Sequence, residues 1–200
     1  EDKLIFKKVF TQVLSTLDDN SIYNLFFKIS EIASTDQLFF IASLLIDARE
    51  FAKASYIGQT LVVEGFSDQA RDFAFCLIST GKFNEAKCIG QKLAKNRAAD
   101  HALNIAVRLI EANKFNWARY VGEALAENGA ADQAYDIASR LINAKEFNLA
   151  KDIGNELAKN GASDLAYKIA SLLINKGKFN LASISDDLDR NGASDLAYKI

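Results

Sequence analysis

The 200-residue sequence contains no proline and no methionine, one histidine, one tryptophan and two cysteines. Without proline, only glycine, asparagine and polar turn residues can punctuate its helices. The single histidine, His101, leaves no second imidazole for a multi-histidine metal site. Cys76 and Cys88 stand in different columns of different helices, so zinc is short of ligands and no disulfide framework exists. Their columns hold Leu44 and Leu172, and Tyr56 and Tyr120, which reads both cysteines as packing residues in a reducing, intracellular and cytoplasmic setting. No apolar run approaches the ~18 residues that would span a bilayer. Lysines inside the apolar pattern of residues 3–17 exclude a signal-peptide core. The balance of 24 Lys+Arg against 26 Asp+Glu, a formal charge of -2, draws neither polyanions nor membranes by charge alone. No Gly-x-Gly-x-x-Gly or Walker-type loop is present. Asp186, Asp187 and Asp189 cluster without the glycine turn and terminal glutamate of a calcium loop, and nothing in the sequence marks them as buried. These scarcities argue against an enzyme, a cofactor and a metal.

What is present is self-similarity. NGASDLAYKI stands at 160–169 and again at 191–200, and NGAADQAYDI at 128–137. One aspartate recurs at Asp36, Asp68, Asp100, Asp132, Asp164 and Asp195, in steps of 32 until a last step of 31. Phe follows at Phe51, Phe83, Phe115, Phe147 and Phe179, and Ala three positions later at Ala54, Ala86, Ala118, Ala150 and Ala182. The repeats run 36–67, 68–99, 100–131, 132–163 and 164–194, with a partial unit at 195–200.

Each unit carries two helical stripes. Ala166, Ile169, Ala170, Leu173 and Ile174 fall at i, i+3, i+4, i+7 and i+8, and Phe147, Ala150, Ile153, Gly154 and Leu157 mark a second helix. Turns such as Thr80-Gly81-Lys82 and Ala144-Lys145-Glu146 separate them, and Asn128-Gly129, Asn160-Gly161 and Asn191-Gly192 close the second helix. Thr35, Ser67, Ser163 and Ser194 offer N-capping oxygens, which makes the recurrent aspartate a helix-start residue. Residues 1–35 read as a degenerate N-terminal pair, Leu4 to Leu17 and Ser21 to Ala33, suited to an end cap or an eroded repeat. In the fifth unit, residues 183–190 are one residue short, which predicts a slipped and less well-packed second helix. Gly90, Gly122 and Gly154 recur in mid-helix, where glycine is costly, and predict close helix approach with Phe115, Phe147 or a neighbouring isoleucine over the bare backbone.

Gly81-Lys82-Phe83-Asn84-Glu85-Ala86, its echo at 177–182 and the alanine column Ala42, Ala74, Ala106, Ala138 and Ala170 resemble the tetratricopeptide repeat. The resemblance covers about residues 36–200. Departures are the unit length, 32 against the family's 34, alanine (Ala134, Ala166) in place of its early tryptophan, glycine for its second-helix aromatic, and no closing proline. Lys176 to Gly192 also resembles a pentatricopeptide repeat, a family that reads single-stranded RNA one base per unit.

The expected architecture is all-α: a right-handed superhelical solenoid of about six 32-residue helix-turn-helix repeats. In such a solenoid the first helices line the concave surface. Their off-core columns are Phe39, Arg71, Leu103, Tyr135, Tyr167 and Tyr198, then Ser43, Phe75, Val107, Ser139 and Ser171, then Asp47, Ser79, Glu111, Asn143 and Asn175. This ladder suits an extended peptide, with Asn pairing backbone amides and Tyr supplying flat area. Equally, Tyr135 and Tyr167 can fill the seam between units. The expected function is a protein-interaction scaffold with a protein or peptide partner. The alternatives are a single-stranded RNA-binding repeat or the non-catalytic arm of a larger enzyme. The end at Ile200, inside a repeat, predicts that the chain continues, and that the cut end self-associates in its absence.

Overall fold

The structure, a computed structural model, describes residues 35–47, 49–177 and 182–200, with isolated positions at 12, 16, 18, 21, 24 and 28. The helix pair expected over residues 4–33 and the fifth unit's Phe179 lie outside the described residues, as do the side chains of Asp36, Phe39 and Ala182. Among the described residues the chain is all-helical, without a strand. The helices are α1 (Thr35–Asp47), α2 (Phe51–Val63), α3 (Ser67–Ser79), α4 (Phe83–Lys95), α5 (Ala99–Glu111) and α6 (Phe115–Glu127). There follow α7 (Ala131–Asn143), α8 (Phe147–Lys159), α9 (Ser163–Asn175), α10 (Ala182–Arg190) and α11 (Ser194–Ala197).

They form two compact units, divided within α4 between Ile89 and Gly90. In the first unit α2 packs on both α1 and α3. In the second, each helix from α5 to α11 packs on the next, while second helices stack (α6 on α8, α8 on α10) and first helices stack (α5 on α7, α7 on α9, α9 on α11). The stripes drive this. Ala134, Ile137, Ala138 and Leu141 of α7, and Ala150, Ile153, Gly154 and Leu157 of α8, are all buried. Each fully buried Ile or Leu contributes roughly 1.5–3 kcal/mol, while the alanines and glycines between them let the helices come close.

Ten helices stop in one way. A residue with positive φ follows each of α1 to α10: Arg49, Gly65, Gly81, Arg97, Asn113, Gly129, Lys145, Gly161, Gly177 and Gly192. Beyond it the chain turns back, with the Glu146 N–H donating to Leu141 O (2.8 Å) and the Ala162 N–H to Leu157 O (2.9 Å), which satisfies carbonyls that the helix end leaves open. Asn96, Asn128, Asn160 and Asn191 each donate their side-chain amide to the carbonyl four residues back, at 2.7–2.8 Å. Lys145 (φ 66°) and Arg97 (φ 61°) hold a conformation that disfavours a Cβ by roughly 1–2 kcal/mol. Lys145→Gly is therefore expected to raise stability, by about 0.5–1 kcal/mol once the extra freedom of glycine in the unfolded chain is subtracted. Urea unfolding of the two proteins side by side measures it, and a loss of stability would contradict the strain argument.

One local expectation needs correction. The serines expected to cap helices sit one residue inside them: Ser67 and Ser163 open α3 and α9, Phe66 and Ala162 are the capping positions, and no side-chain cap bond forms. Capping is unnecessary because the preceding helix's turn fixes the entry, leaving Asp68, Asp100, Asp132, Asp164 and Asp195 in the first turn to favour the helix dipole. In the short fifth unit Ile184 and Leu188 of α10 are fully buried. Ile184 takes the place of Ile153, approaching Gly154 as Ile153 approaches Gly122.

Candidate interaction surface

The first helices of the second unit bring most of the expected ladder onto neighbouring elements. Tyr135, Ser139 and Asn143 lie on α7, Tyr167, Ser171 and Asn175 on α9, and Leu103 on α5. Tyr135, Tyr167, Ser139, Ser171 and Leu103 are half-buried, whereas Asn143 and Asn175 are exposed. The Ser171 hydroxyl donates to Tyr167 O (2.9 Å), and the buried Ser139 hydroxyl has no hydrogen-bond partner. Tyr198, just past α11, is 93% exposed. Arg71 belongs to the first unit, where Asp72 (2.8 Å) and Asp68 (2.9 Å) hold it. The hydrogen bond to Asp72 lifts its guanidinium further above its ordinary pKa.

The solvent-facing stripe lies one position along from the tyrosine column. It comprises Asp100, Asn104, Arg108 and Glu111 on α5, Asp132, Arg140 and Asn143 on α7 with Asp136 half-buried between them, and Asp164, Lys168 and Asn175 on α9. The four-residue spacing of polar residues was the available signal. Its arginines are matched locally, Arg140 to Asp136 at 3.0 Å and Arg108 to Glu111 at 3.0 Å, pairs worth at most about 1 kcal/mol each in water.

The second helices carry a different arrangement, which sequence reasoning missed. On α6 the Arg119 guanidinium reaches Glu123 (2.8 Å) on its own helix and Asp152 (3.3 Å) on α8. It also lies over the Tyr120 ring, 4.1 Å from the centroid, and the Trp117 ring stands 6.2 Å from that of Tyr120. Gln91 donates its amide to Tyr120 O (3.4 Å). Arg119 Nε is buried without a partner. Burial raises the Glu123 carboxyl above the usual carboxylate range despite the nearby guanidinium, and Asp152 and Glu156 add repulsion.

That direction sets a pH dependence. A carboxyl whose pKa is higher folded than unfolded holds more protons in the folded state. Its contribution is therefore fullest at acid pH and is lost as pH rises through the folded value. Glu123→Gln is expected to show a stability relative to wild type that improves as pH rises from about 4 toward 7. Urea midpoints of the two proteins across that range check it, and a parallel pair of curves would contradict the assignment.

Asp187 departs from expectation: it is buried and pairs with Arg190 at 3.6 Å. Among the described residues no group of His, Cys, Asp and Glu is arranged to hold a metal ion, and no helix is long and apolar enough to cross a membrane. Cys76 is exposed and Cys88 half-buried. No family model, curated protein or solved structure matches the chain.

Proposed function

We propose that the chain is a helical-repeat solenoid, right-handed and tetratricopeptide-like, that acts in the cytoplasm as a non-catalytic scaffold for a protein or peptide partner. The supporting observation is a division of labour between positions. Buried columns repeat from pair to pair, as in Ala102, Ala134 and Ala166, or Ile105, Ile137 and Ile169. Exposed positions in the same register change chemistry, as in Asn104 and Lys168. Helix pairs opening at Ser67, Ala99, Ala131 and Ser163 carry the 32-residue period of this reading.

A protein partner is favoured over nucleic acid because the first-helix arginines Arg108 and Arg140 are matched by carboxylates beside them, whereas following a phosphate backbone takes unmatched cations. The Tyr135–Ser139–Asn143 and Tyr167–Ser171–Asn175 ladders divide into half-buried Tyr and Ser and solvent-facing Asn.

Parallel selections from a random peptide display library and a random single-stranded RNA pool test the proposal. Enrichment of peptides with saturable binding, and none of RNA, is expected. RNA enrichment that fades steeply with salt, with no peptide enriched, would overturn it.

A further inference from the structure

The single tryptophan of the chain belongs to one repeat only. Lys53, Glu85 and Leu149 stand at the place of Trp117, and Tyr56, Cys88 and Asp152 at that of Tyr120. The neighbouring repeats form their second helices without these rings, so the fold does not require them. Tyr120 is nonetheless exposed, at 36%. Trp, Tyr and Arg together are the residues that dominate binding energy at protein interfaces.

The patch is also held ready. Arg119 stacks on Tyr120, ties α6 to α8 through Asp152, and is fixed by Glu123. Gln91 braces the same turn from α4. Side chains ordered before a partner arrives lower the entropic cost of association. Within its ion-paired cluster three carboxylates, Glu123, Asp152 and Glu156, meet two cations, Arg119 and Lys159, the latter 3.4 Å from Glu156.

We propose that the α6–α8 surface around Trp117, Arg119 and Tyr120 docks an extended segment of a protein partner that carries an arginine or lysine between apolar residues. The apolar side chains lie on the Trp117 and Tyr120 rings, and the cation takes the free oxygens of Glu123 and Asp152. This deepens the scaffold reading and rests on it.

Trp117, as the only tryptophan, reports the site directly by its fluorescence. The probe is a short peptide alternating arginine and leucine, and its control has glutamate in place of arginine. With the full chain, a saturable change in emission is expected for the arginine peptide and none for the glutamate peptide. Glu123→Gln and Asp152→Asn are each expected to weaken the arginine peptide about tenfold. Circular dichroism establishes that each variant is folded, and if one is not, the other decides. Asp132→Asn, on the first-helix stripe, leaves the affinity unchanged.

Equal responses to both peptides, no saturable response, or unaltered affinity in folded Glu123→Gln or Asp152→Asn would overturn the site. Loss of binding in Asp132→Asn alone would move the contact to the first helices and leave the scaffold reading standing. RNA binding without peptide enrichment in the parallel selections would remove that reading itself.

Discussion

Replacing Gly122 with leucine is expected to destabilise the second unit by about 1–3 kcal/mol, the usual cost of overpacking a filled core. A Cβ on Gly122 would meet Ile153 Cδ1 at 2.6 Å and Ile137 Cγ2 at 3.3 Å. The two isoleucines come from different helices, α8 and α7, so the glycine sits over the groove of the following pair. The same contact recurs at Gly58 with Ile89 and Phe73, at Gly90 with Val121 and Ile105, and at Gly154 with Ile184 and Ile169. Phe115 and Phe147, the other candidates for covering these glycines, are not among the nearest atoms.

Alanine at Gly122 is a milder case. The nearest atom is the far end of a flexible side chain, and helix propensity returns up to about 1 kcal/mol. Gly122→Ala is therefore expected to fall well short of the leucine variant, and Ile153→Val, which removes Cδ1, to relieve what strain remains. A double-mutant cycle on Gly122→Ala and Ile153→Val, read from urea midpoints, isolates that term. Additive effects, or an unchanged midpoint in Gly122→Leu, would mean the glycine column is not a contact seam.

The glycine seam was legible in the sequence because glycine at a fixed mid-helix position has no local explanation. The buried columns were legible for a similar reason: Ala, Ile and Leu recur at helical spacing whatever lies around them. Features set by geometry between helices were not. Ser67 and Ser163 look like caps, yet the turn before them uses Phe66 and Ala162 instead. Arg49, Arg97 and Lys145 occupy left-handed positions where a neighbouring unit has glycine, and nothing in their side chains announces it. Of the candidate ladder, Asn143 and Asn175 reach solvent while Tyr135 and Ser139 sink halfway into the seam, a difference of one position in helical phase. The Arg119–Asp152 pair joins residues 33 apart in the chain. Only the packing of α6 on α8 brings them together.

The sharpest separation of local sequence from context comes from the duplicated decapeptide. Ile169 and Ile200 end identical stretches, NGASDLAYKI, at 160–169 and 191–200. Ile169 is fully buried, within reach of Gly154, whereas Ile200 is half-exposed. Ile169→Ala is expected to cost about 2–5 kcal/mol, combining lost transfer energy with a cavity walled by rigid helices. Ile200→Ala is expected to cost less than about 1 kcal/mol, because a partly exposed side chain gives up little buried area and leaves no closed void. Native-state hydrogen exchange suits the comparison better than a single unfolding midpoint, since stacked pairs can open separately. Amides of α9 should lose protection in Ile169→Ala, and those of α5 should lose less. In Ile200→Ala only the amides around α11 should respond. Equal losses from the two substitutions would show that the decapeptide's own helix propensity, not the pairs stacked against it, sets its stability. Unequal losses would assign the difference to the neighbours, because every residue within the ten is the same.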